Sequence, residues 1–232
     1  MTMGFDITSY LMGQKAGGGG SGGSDQPAIW CGGYEGGGQA GTMYSRILRI
    51  TGWNGKYALI TFMTRSDLTV IPSGAVQLDK SSCIDGTDIQ YVYVFKYHVT
   101  TDDVQLEFGN NTLDRKAASW WLLDRDFSLT KTVTSDLFEY YNTPYSLITT
   151  ENTFVTFNAY TAQTDQSLRV WADSDGTWIN QPIPIDYQLR HFSGIIPASQ
   201  SEKTTKIMQK NSNNIVTMVR SFGQVVAYTI TV

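Results

Sequence analysis

The stretch that decides the fold is Tyr91-Val92-Tyr93-Val94-Phe95-Lys96-Tyr97-His98-Val99. Aromatic residues and valines alternate through most of it, with a period of two. Successive side chains of a β-strand point to opposite faces, so this pattern predicts a strand with one aromatic face and one valine face. We therefore predict a strand over residues 89–99, closed by a turn at Thr101-Asp102-Asp103.

The same period continues on both sides of this strand. Residues 44–51 and 57–64 are predicted strands, and Gly52-Trp53-Asn54-Gly55 is predicted to join them as a hairpin, because Asn-Gly is a strong hairpin signal. Further short strands are predicted at residues 69–71, 75–78, 104–108, 119–123, 146–150, 153–160, 167–172, 177–180, 187–192, 205–209, 215–221 and 225–232.

Short, closely spaced strands are typical of sandwiches and barrels. The predicted fold class is therefore all-β, with residues 42–232 forming a jelly-roll-like β-sandwich. Residues 124–145 are either a boundary between two tandem modules or a long crossover within one body, and we favour one body.

The composition narrows the class of partner. The 232 residues carry a net charge of −4 and contain no run of lysine or arginine, which disfavours nucleic acid and anionic membranes as partners. Neither a secretion signal nor a long apolar run is visible, so we expect the protein to fold in a cytoplasm. No cofactor is expected.

Residues 4–13 read as a single short helix. Asp6 is suited to cap its first turn, and Gly13 to end it. Such a helix is too short to be stable alone in water, so its apolar side chains need a surface to cover. We predict that residues 1–15 are a docking peptide whose apolar residues fill a groove on a partner: Phe5, Ile7, Tyr10, Leu11 and Met12.

Most of the 22 glycines lie in residues 1–41. Residues 14–24 are a glycine and serine coil with a reach of about 20 Å, and residues 16–41 are predicted to be a tether with an irregular entry, over residues 32–41, into the first strand. Two other interpretations of the terminus remain: a frayed tail, and a linker of the engineered Gly-Gly-Gly-Gly-Ser type.

Residues able to carry catalysis are sparse. The two histidines, His98 and His191, stand beside no nucleophile pattern and in no zinc-ligand spacing. Paired carboxylates of the kind used in glycoside cleavage occur in turn-like contexts, where aspartate commonly caps its own backbone. These pairs are Asp102 with Asp103, Asp124 with Asp126, and Asp173 with Asp175.

Asp173-Ser174-Asp175-Gly176 also resembles the opening of a calcium loop but lacks the later glutamate, so a hairpin turn is favoured and no metal site is predicted. The two cysteines, Cys31 and Cys83, are interpreted as unconnected thiols, with a disulfide as the alternative.

Aromatic residues make up 12% of the chain. Trp171 and Trp178 are the candidate contacts for a glycan, since a ring with a polar tip suits wet, repeated contacts. Core and interface packing is the plainer interpretation of the aromatic residues. Trp120 and Trp121 are adjacent, so they cannot both line one site if that segment is extended.

The segment Met3-Gly4-Phe5-Asp6-Ile7-Thr8-Ser9-Tyr10-Leu11-Met12-Gly13-Gln14-Lys15, followed by glycines, resembles the N-terminus of structural proteins from tailed bacteriophages. In those proteins a phrase similar to Phe-Asp-x-x-x-Tyr-Leu-Met-Gly-x-Lys precedes a glycine run. The resemblance covers about 20 residues and implies a head fibre, tail fibre or minor virion component. It implies attachment of residues 1–15 to a capsid or tail protein of the same virion, often as a homotrimer.

We therefore expect a non-catalytic virion protein of the head-fibre, capsid-decoration or tail-fibre type, anchored by its N-terminal peptide. One alternative is a module that binds carbohydrate or a receptor glycan on the host surface. Another is a polysaccharide-degrading enzyme, which depends only on the carboxylate pairs.

Overall fold

The computed structural model describes residues 29–35, 42–85, 88–136, 138–139, 145–161, 168–172, 178–179, 189–196, 198, 202–209 and 221–232. Within these ranges the regular structure consists of β-strands without a helix, so the all-β prediction is confirmed. The helix predicted over residues 4–13 lies outside the described residues. The strands are β1 (Ile29–Glu35), β2 (Thr42–Thr51), β3 (Tyr57–Thr64), β4 (Val76–Asp85), β5 (Asp88–His98), β6 (Asp103–Leu123), β7 (Ser128–Thr134), β8 (Phe138–Glu139), β9 (Tyr145–Thr149), β10 (Thr153–Thr161), β11 (Leu168–Ala172), β12 (Trp178–Ile179), β13 (Leu189–Ile196), β14 (Lys203–Gln209) and β15 (Ser221–Thr231).

The first sheet has the strand order β1-β6-β3-β5-β4. Its central strand, β3, is buried at every position after Tyr57, because both faces of the sheet are covered. The 21-residue strand β6 is shared between this sheet and a two-stranded ribbon. Its second half pairs with β3 and β1, whereas its first half pairs with β2 to form a two-stranded ribbon.

The ribbon covers one face of the first sheet. Leu48 and Phe108 of the ribbon share a buried cluster with Phe62, Phe95 and Trp120 of the sheet. The aromatic face predicted for residues 91–99 is thus confirmed, because Tyr93 and Phe95 both belong to this cluster. The valine face is confirmed too: Val94 packs in a separate cluster on the opposite side of the sheet.

The predicted hairpin between residues 44–51 and 57–64 is wrong in its pairing. Both strands exist, but β2 pairs with β6 and β3 pairs with β5 and β6. The turn itself forms, with Gly52 and Gly55 at positive φ and Lys56 N donating to Trp53 O. The turn leads from the ribbon into the first sheet. Two hydrogen bonds hold it against the neighbouring corner: Gly52 N donates to Asp102 O, and Gly55 N donates to Val99 O.

Other strand predictions differ from the structure where partners are distant in sequence. Residues 104–108 and 119–123 are parts of the single strand β6. Residues 69–71 contain only an isolated bridge, between Val70 and Gly109. The predicted irregular entry over residues 32–41 contains the second half of β1, which pairs with β6 through a bulge between Cys31 and Gly33.

The segment 124–145 is more regular than predicted, since β7 and β8 both lie within it and pair with β15. The strand predicted at residues 215–221 lies outside the described residues except for Ser221.

A buried polar network holds the bend in β6. The pairing with β2 jumps from Gly109 to Asp114, so the residues between them bulge out. Lys116, which is 1% exposed, donates from Nζ to Asp114 Oδ1 and to Thr112 O. Thr64 Oγ1 donates to the same carboxylate, at 3.2 Å from Oδ2. The network therefore ties the bulge to the end of β3.

The second sheet has the order β13-β10-β15-β7, with β8 also on β15. It packs against the face of the first sheet that the ribbon leaves uncovered. Trp121 and Val94 of the first sheet share a buried cluster with Phe154, Val226 and Tyr228 of the second. The cluster therefore contains residues from both sides of the segment 124–145.

Hydrogen bonds cross the same interface. Thr61 Oγ1 and Ser119 Oγ lie 2.7 Å apart on the first sheet, and Ser119 Oγ is bonded to Ser193 Oγ of the second. Trp121 Nε1 also donates to Ser193 Oγ, at 3.0 Å. The three hydroxyl groups therefore have hydrogen-bond partners although they are buried between the sheets, which avoids the cost of an unpaired polar group.

Tyr228 is a buried titratable group at the same interface. Its hydroxyl donates to Asp79 Oδ2 at 2.7 Å, and burial, followed by this carboxylate, raises the pKa of the phenol well above its ordinary value. The phenol of an unfolded chain has a pKa near 10. Below that pH the raised pKa contributes its full share of the folding stability. Above it the unfolded chain binds fewer protons than the folded protein, so this stability is lost as the pH rises.

We expect Tyr228→Phe to lose less stability than the wild-type protein between about pH 9.5 and 11. Urea midpoints measured across this range check the expectation, with Tyr44→Phe as the control because Tyr44 is 58% exposed. Parallel pH curves for wild type and Tyr228→Phe would contradict it.

Candidate functional site

The third sheet has the order β12-β11-β14-β9. Its register is antiparallel throughout and free of bulges. Directly opposite residues of an antiparallel pair lie on the same face, so the register assigns each position to one of two faces. We call them the outer face and the inner face.

Burial along β9 distinguishes the two faces. On β9, Leu147 is 4% exposed, whereas its neighbour Ile148 is 59% exposed and Ser146 is also exposed. Leu147 therefore marks the inner face. The positions in register with it are Tyr145, Thr149, Leu168, Val170, Ala172, Ile179, Lys203, Thr205, Ile207 and Gln209.

The outer face holds both tryptophans that sequence analysis selected as glycan contacts. Trp171 is the direct cross-strand partner of Trp178 on one side and of Lys206 on the other. Lys206 is in turn the partner of Ser146. The row Trp178-Trp171-Lys206-Ser146 crosses all four strands, and we call it the tryptophan row.

A second cation lies beside this row. Arg169 is two positions before Trp171 on β11 and is the partner of Met208. Neither Lys206 nor Arg169 was selected from the sequence. Lys206 becomes a neighbour of Trp171 only through the pairing of β11 with β14.

The tryptophan row has the dimensions of an extended binding surface. Neighbouring strands lie about 4.8 Å apart, so four positions span about 14 Å, the length of a short oligosaccharide. Aromatic residues on a sheet face suit stacking against sugar rings, and their polar tips tolerate water.

The other adjacent tryptophans belong to the core, as the plainer interpretation predicted. Trp120 is 6% exposed and packs under the ribbon, whereas Trp121 is 8% exposed and packs against the second sheet. They lie on opposite faces of the first sheet, which confirms that they cannot line one site. The predicted docking residues Phe5, Ile7, Tyr10, Leu11 and Met12 lie outside the described residues.

Two titratable clusters of the described part are ion pairs with shifted pKa values. Lys80 Nζ and Tyr93 Oη both donate to Asp67, and Lys80 holds the pKa of that carboxyl below its usual value. The pKa of Lys80 is raised by the same pair. Lys96 lowers the pKa of Asp126 in the same way. Shifts of these signs favour the charged forms, whereas a general acid or base works best with a pKa near neutrality.

The carboxylate pairs lie in turns where the structure describes them. Asp126 caps its own backbone, accepting from Phe127 N at 2.7 Å, and Asp124 accepts from Arg125 Nε at 3.0 Å. Asp102 and Asp103 are exposed at the corner that follows β5. Asp173 and Asp175, with the calcium-like loop, lie outside the described residues. Among the described residues, no group of three or more metal-ligating side chains gathers.

The two histidines belong to different sheets. His98 is exposed and stacks on Tyr57, with ring centroids 4.6 Å apart. His191 is the cross-strand partner of Asn158 in the second sheet.

The two cysteines lie on opposite edges of the first sheet. Cys31 is on β1 and Cys83 is on β4, four strand spacings away, or about 19 Å along the sheet. A disulfide needs Cα atoms within about 7 Å, so the alternative of a bond within the chain is wrong.

The chain matches no protein-family model, no curated protein sequence and no solved structure. Within the part of the chain that the structure describes, no helix is long and apolar enough to cross a membrane.

Proposed function

We propose that this protein is a non-catalytic virion protein of a tailed bacteriophage, of the head-fibre, capsid-decoration or tail-fibre type. Residues 1–15 dock on a capsid or tail protein, residues 16–41 tether and lead into the body, and a jelly-roll-like β-sandwich projects from the particle. The protein assembles in the host cytoplasm, and the copies associate as homotrimers.

The N-terminal sequence pattern is the observation that carries this proposal. Phe5, Tyr10 and Leu11 form an apolar set that a solvated tail has no reason to carry, and a glycine run follows it directly. An amphipathic helix laid into a groove is a recurrent way for a short peptide to bind. Repeated docking sites on a particle would raise the apparent affinity through multivalency.

Deleting residues 1–15 is expected to abolish incorporation into particles, because the deletion removes the whole docking surface. A milder variant, Phe5→Ser with Leu11→Ser, is expected to lower incorporation by about tenfold or more, since apolar anchors dominate such interfaces. The measurement is the amount of protein that sediments with purified particles.

Ser9→Ala is the matched control, because it changes the same segment without removing an apolar anchor. Normal incorporation of the truncated protein would overturn the docking proposal.

A second candidate function is recognition of a host-surface glycan by the body. The observation that favours it is the cross-strand pairing of Trp171 with Trp178, at register positions on the same face as Ile148, which is exposed. Aromatic residues paired across neighbouring strands suit stacking against sugar rings. Docking and glycan recognition are compatible, since they use different parts of the chain.

A further inference from the structure

Two contacts fix how β15 runs over β5. Lys96 Nζ donates to Phe127 O at 3.0 Å, directly before β7, whose first residues pair with the end of β15. Tyr228, further back on β15, bonds to Asp79, which is the cross-strand partner of Val94. Going back along β15 therefore corresponds to going back along β5.

The layer between the first and second sheets becomes polar in this direction. Steps of two residues keep to one face of a strand. The first step, from Tyr228 and Val94, brings Val226 over Val92, and both valines are fully buried. The second step brings Gln224 over Gln90, so two amides follow the two valines.

Polar side chains at this end are buried without hydrogen-bond partners. Gln90 is 1% exposed, and among the residues that the structure describes, no donor or acceptor is bonded to either end of its amide. Ser81, the cross-strand partner of Val92, has a buried hydroxyl in the same condition. On the second sheet, Gln224 donates from Nε2 to Ser135 O, but its buried Oε1 accepts no bond within the described part of the chain.

Thr156 adds a fourth such group from the middle of the second sheet. It lies between Ser193 and Val226 in the register, and Ser193 bonds to Ser119 of the first sheet. Thr156 therefore faces the first sheet, one step before Gln224. Its side chain is 0% exposed, and its Oγ1 has no partner among the described residues.

Buried polar groups without partners carry the full cost of their desolvation, and ordered waters commonly satisfy them, with about three hydrogen bonds to each water. The four side chains are neutral, which suits water better than an ion. We propose that this end of the layer binds a cluster of ordered water molecules, which bridges Gln90 and Ser81 of the first sheet to Thr156 and Gln224 of the second.

A crystal structure of the full-length protein tests the proposal directly. We expect ordered solvent density within about 2.7–3.2 Å of both amide atoms of Gln90. A side chain of the protein in that place, or density for a larger molecule, would overturn the proposal. This result does not depend on whether any variant folds.

Gln90→Met tests the proposal in solution by the sign of its effect. Methionine is similar in length and removes both polar atoms. If waters bond the amide, they lose partners, and the equilibrium constant for folding should fall by about tenfold. A rise in this constant would show that the amide has no partners and would overturn the proposal. Urea midpoints and slopes give the constant, and Gln77→Met is the matched control because Gln77 is exposed on β4.

Thr156→Val tests whether one cluster bridges the two sheets. The single substitution should also lower the folding constant, since it removes a partner of the waters. Combined with Gln90→Met, it should cause a smaller loss than the product of the two single fold-changes, because groups in one hydrogen-bond network are coupled. Fold-changes that simply multiply would show two independent sites and would overturn the bridge.

Discussion

Replacing Lys116 by methionine is expected to lower the free energy of unfolding by about 3–5 kcal/mol, the usual cost of removing one partner of a buried ion pair. The side chains of Lys116 and Asp114 are 0% and 5% exposed. Without the ammonium, the Asp114 carboxylate stays buried and loses its counter-charge. Urea midpoints with the accompanying slopes measure the loss.

Two further variants serve as controls for the Lys116→Met result. Lys80→Met breaks an exposed pair with Asp67, so it should cost no more than about 1 kcal/mol. Asp114→Leu combined with Lys116→Met removes both charges and should regain much of the lost stability, because an apolar pair of similar volume carries no desolvation cost. Equal midpoints for Lys116→Met and Lys80→Met would contradict the burial of the network.

Trp121→Ala is expected to lower the free energy of unfolding by about 3–5 kcal/mol, the usual cost of deleting a large buried side chain. Trp121 packs against Phe154 and Tyr228 of the second sheet and donates its indole N–H to Ser193. Trp121→Phe keeps a ring in place and loses the donor, so we expect an intermediate loss.

Trp178→Ala is the matched substitution on the outer face of the third sheet. The glycan-binding function requires Trp178 to face solvent, so we expect the change to alter the free energy of unfolding by no more than about 0.5 kcal/mol, as usual for a surface position, while weakening glycan binding. The two tryptophans thus separate a packing role from a binding role. A stability loss for Trp178→Ala as large as that for Trp121→Ala would contradict the assignment of the outer face.

Local patterns predicted the strands well and their partners poorly. Residues 44–51 and 57–64 are rich in apolar and β-branched residues, and both are strands. The turn between them is also formed, because glycine at Gly52 and Gly55 satisfies a local backbone requirement. Which strand lies beside β2, however, depends on side chains more than 50 residues away, and a local pattern contains no information about them.

The bend in β6 shows why its polar network could not be predicted. In the run from Leu113 to Lys116 the hydropathy suggests an exposed polar stretch with one apolar residue. The structure reverses this, with Leu113 52% exposed and both Asp114 and Lys116 buried. Only the bulge between Gly109 and Asp114 turns the charges inward, and nothing within the strand marks it.

The candidate site was predicted in part. Trp171 and Trp178 were selected because aromatic residues suit sugar contacts, and the register now shows that they are partners. Lys206 was missed because it lies more than 30 residues after Trp171 and becomes its neighbour only through the pairing of β11 with β14. The residue types were therefore visible in the sequence, but their arrangement was not.

The sharing of β6 between the ribbon and the first sheet has a kinetic consequence during synthesis. β2 ends at Thr51, and the strand it pairs with begins at Asp103. At 5–20 residues per second, β2 therefore waits roughly 3–10 s for its partner to be synthesised. β1 waits longer, since its partners lie at the end of β6. Until then the nascent chain exposes unpaired strand edges, so a slower ribosome would lengthen the period in which this protein is prone to aggregate.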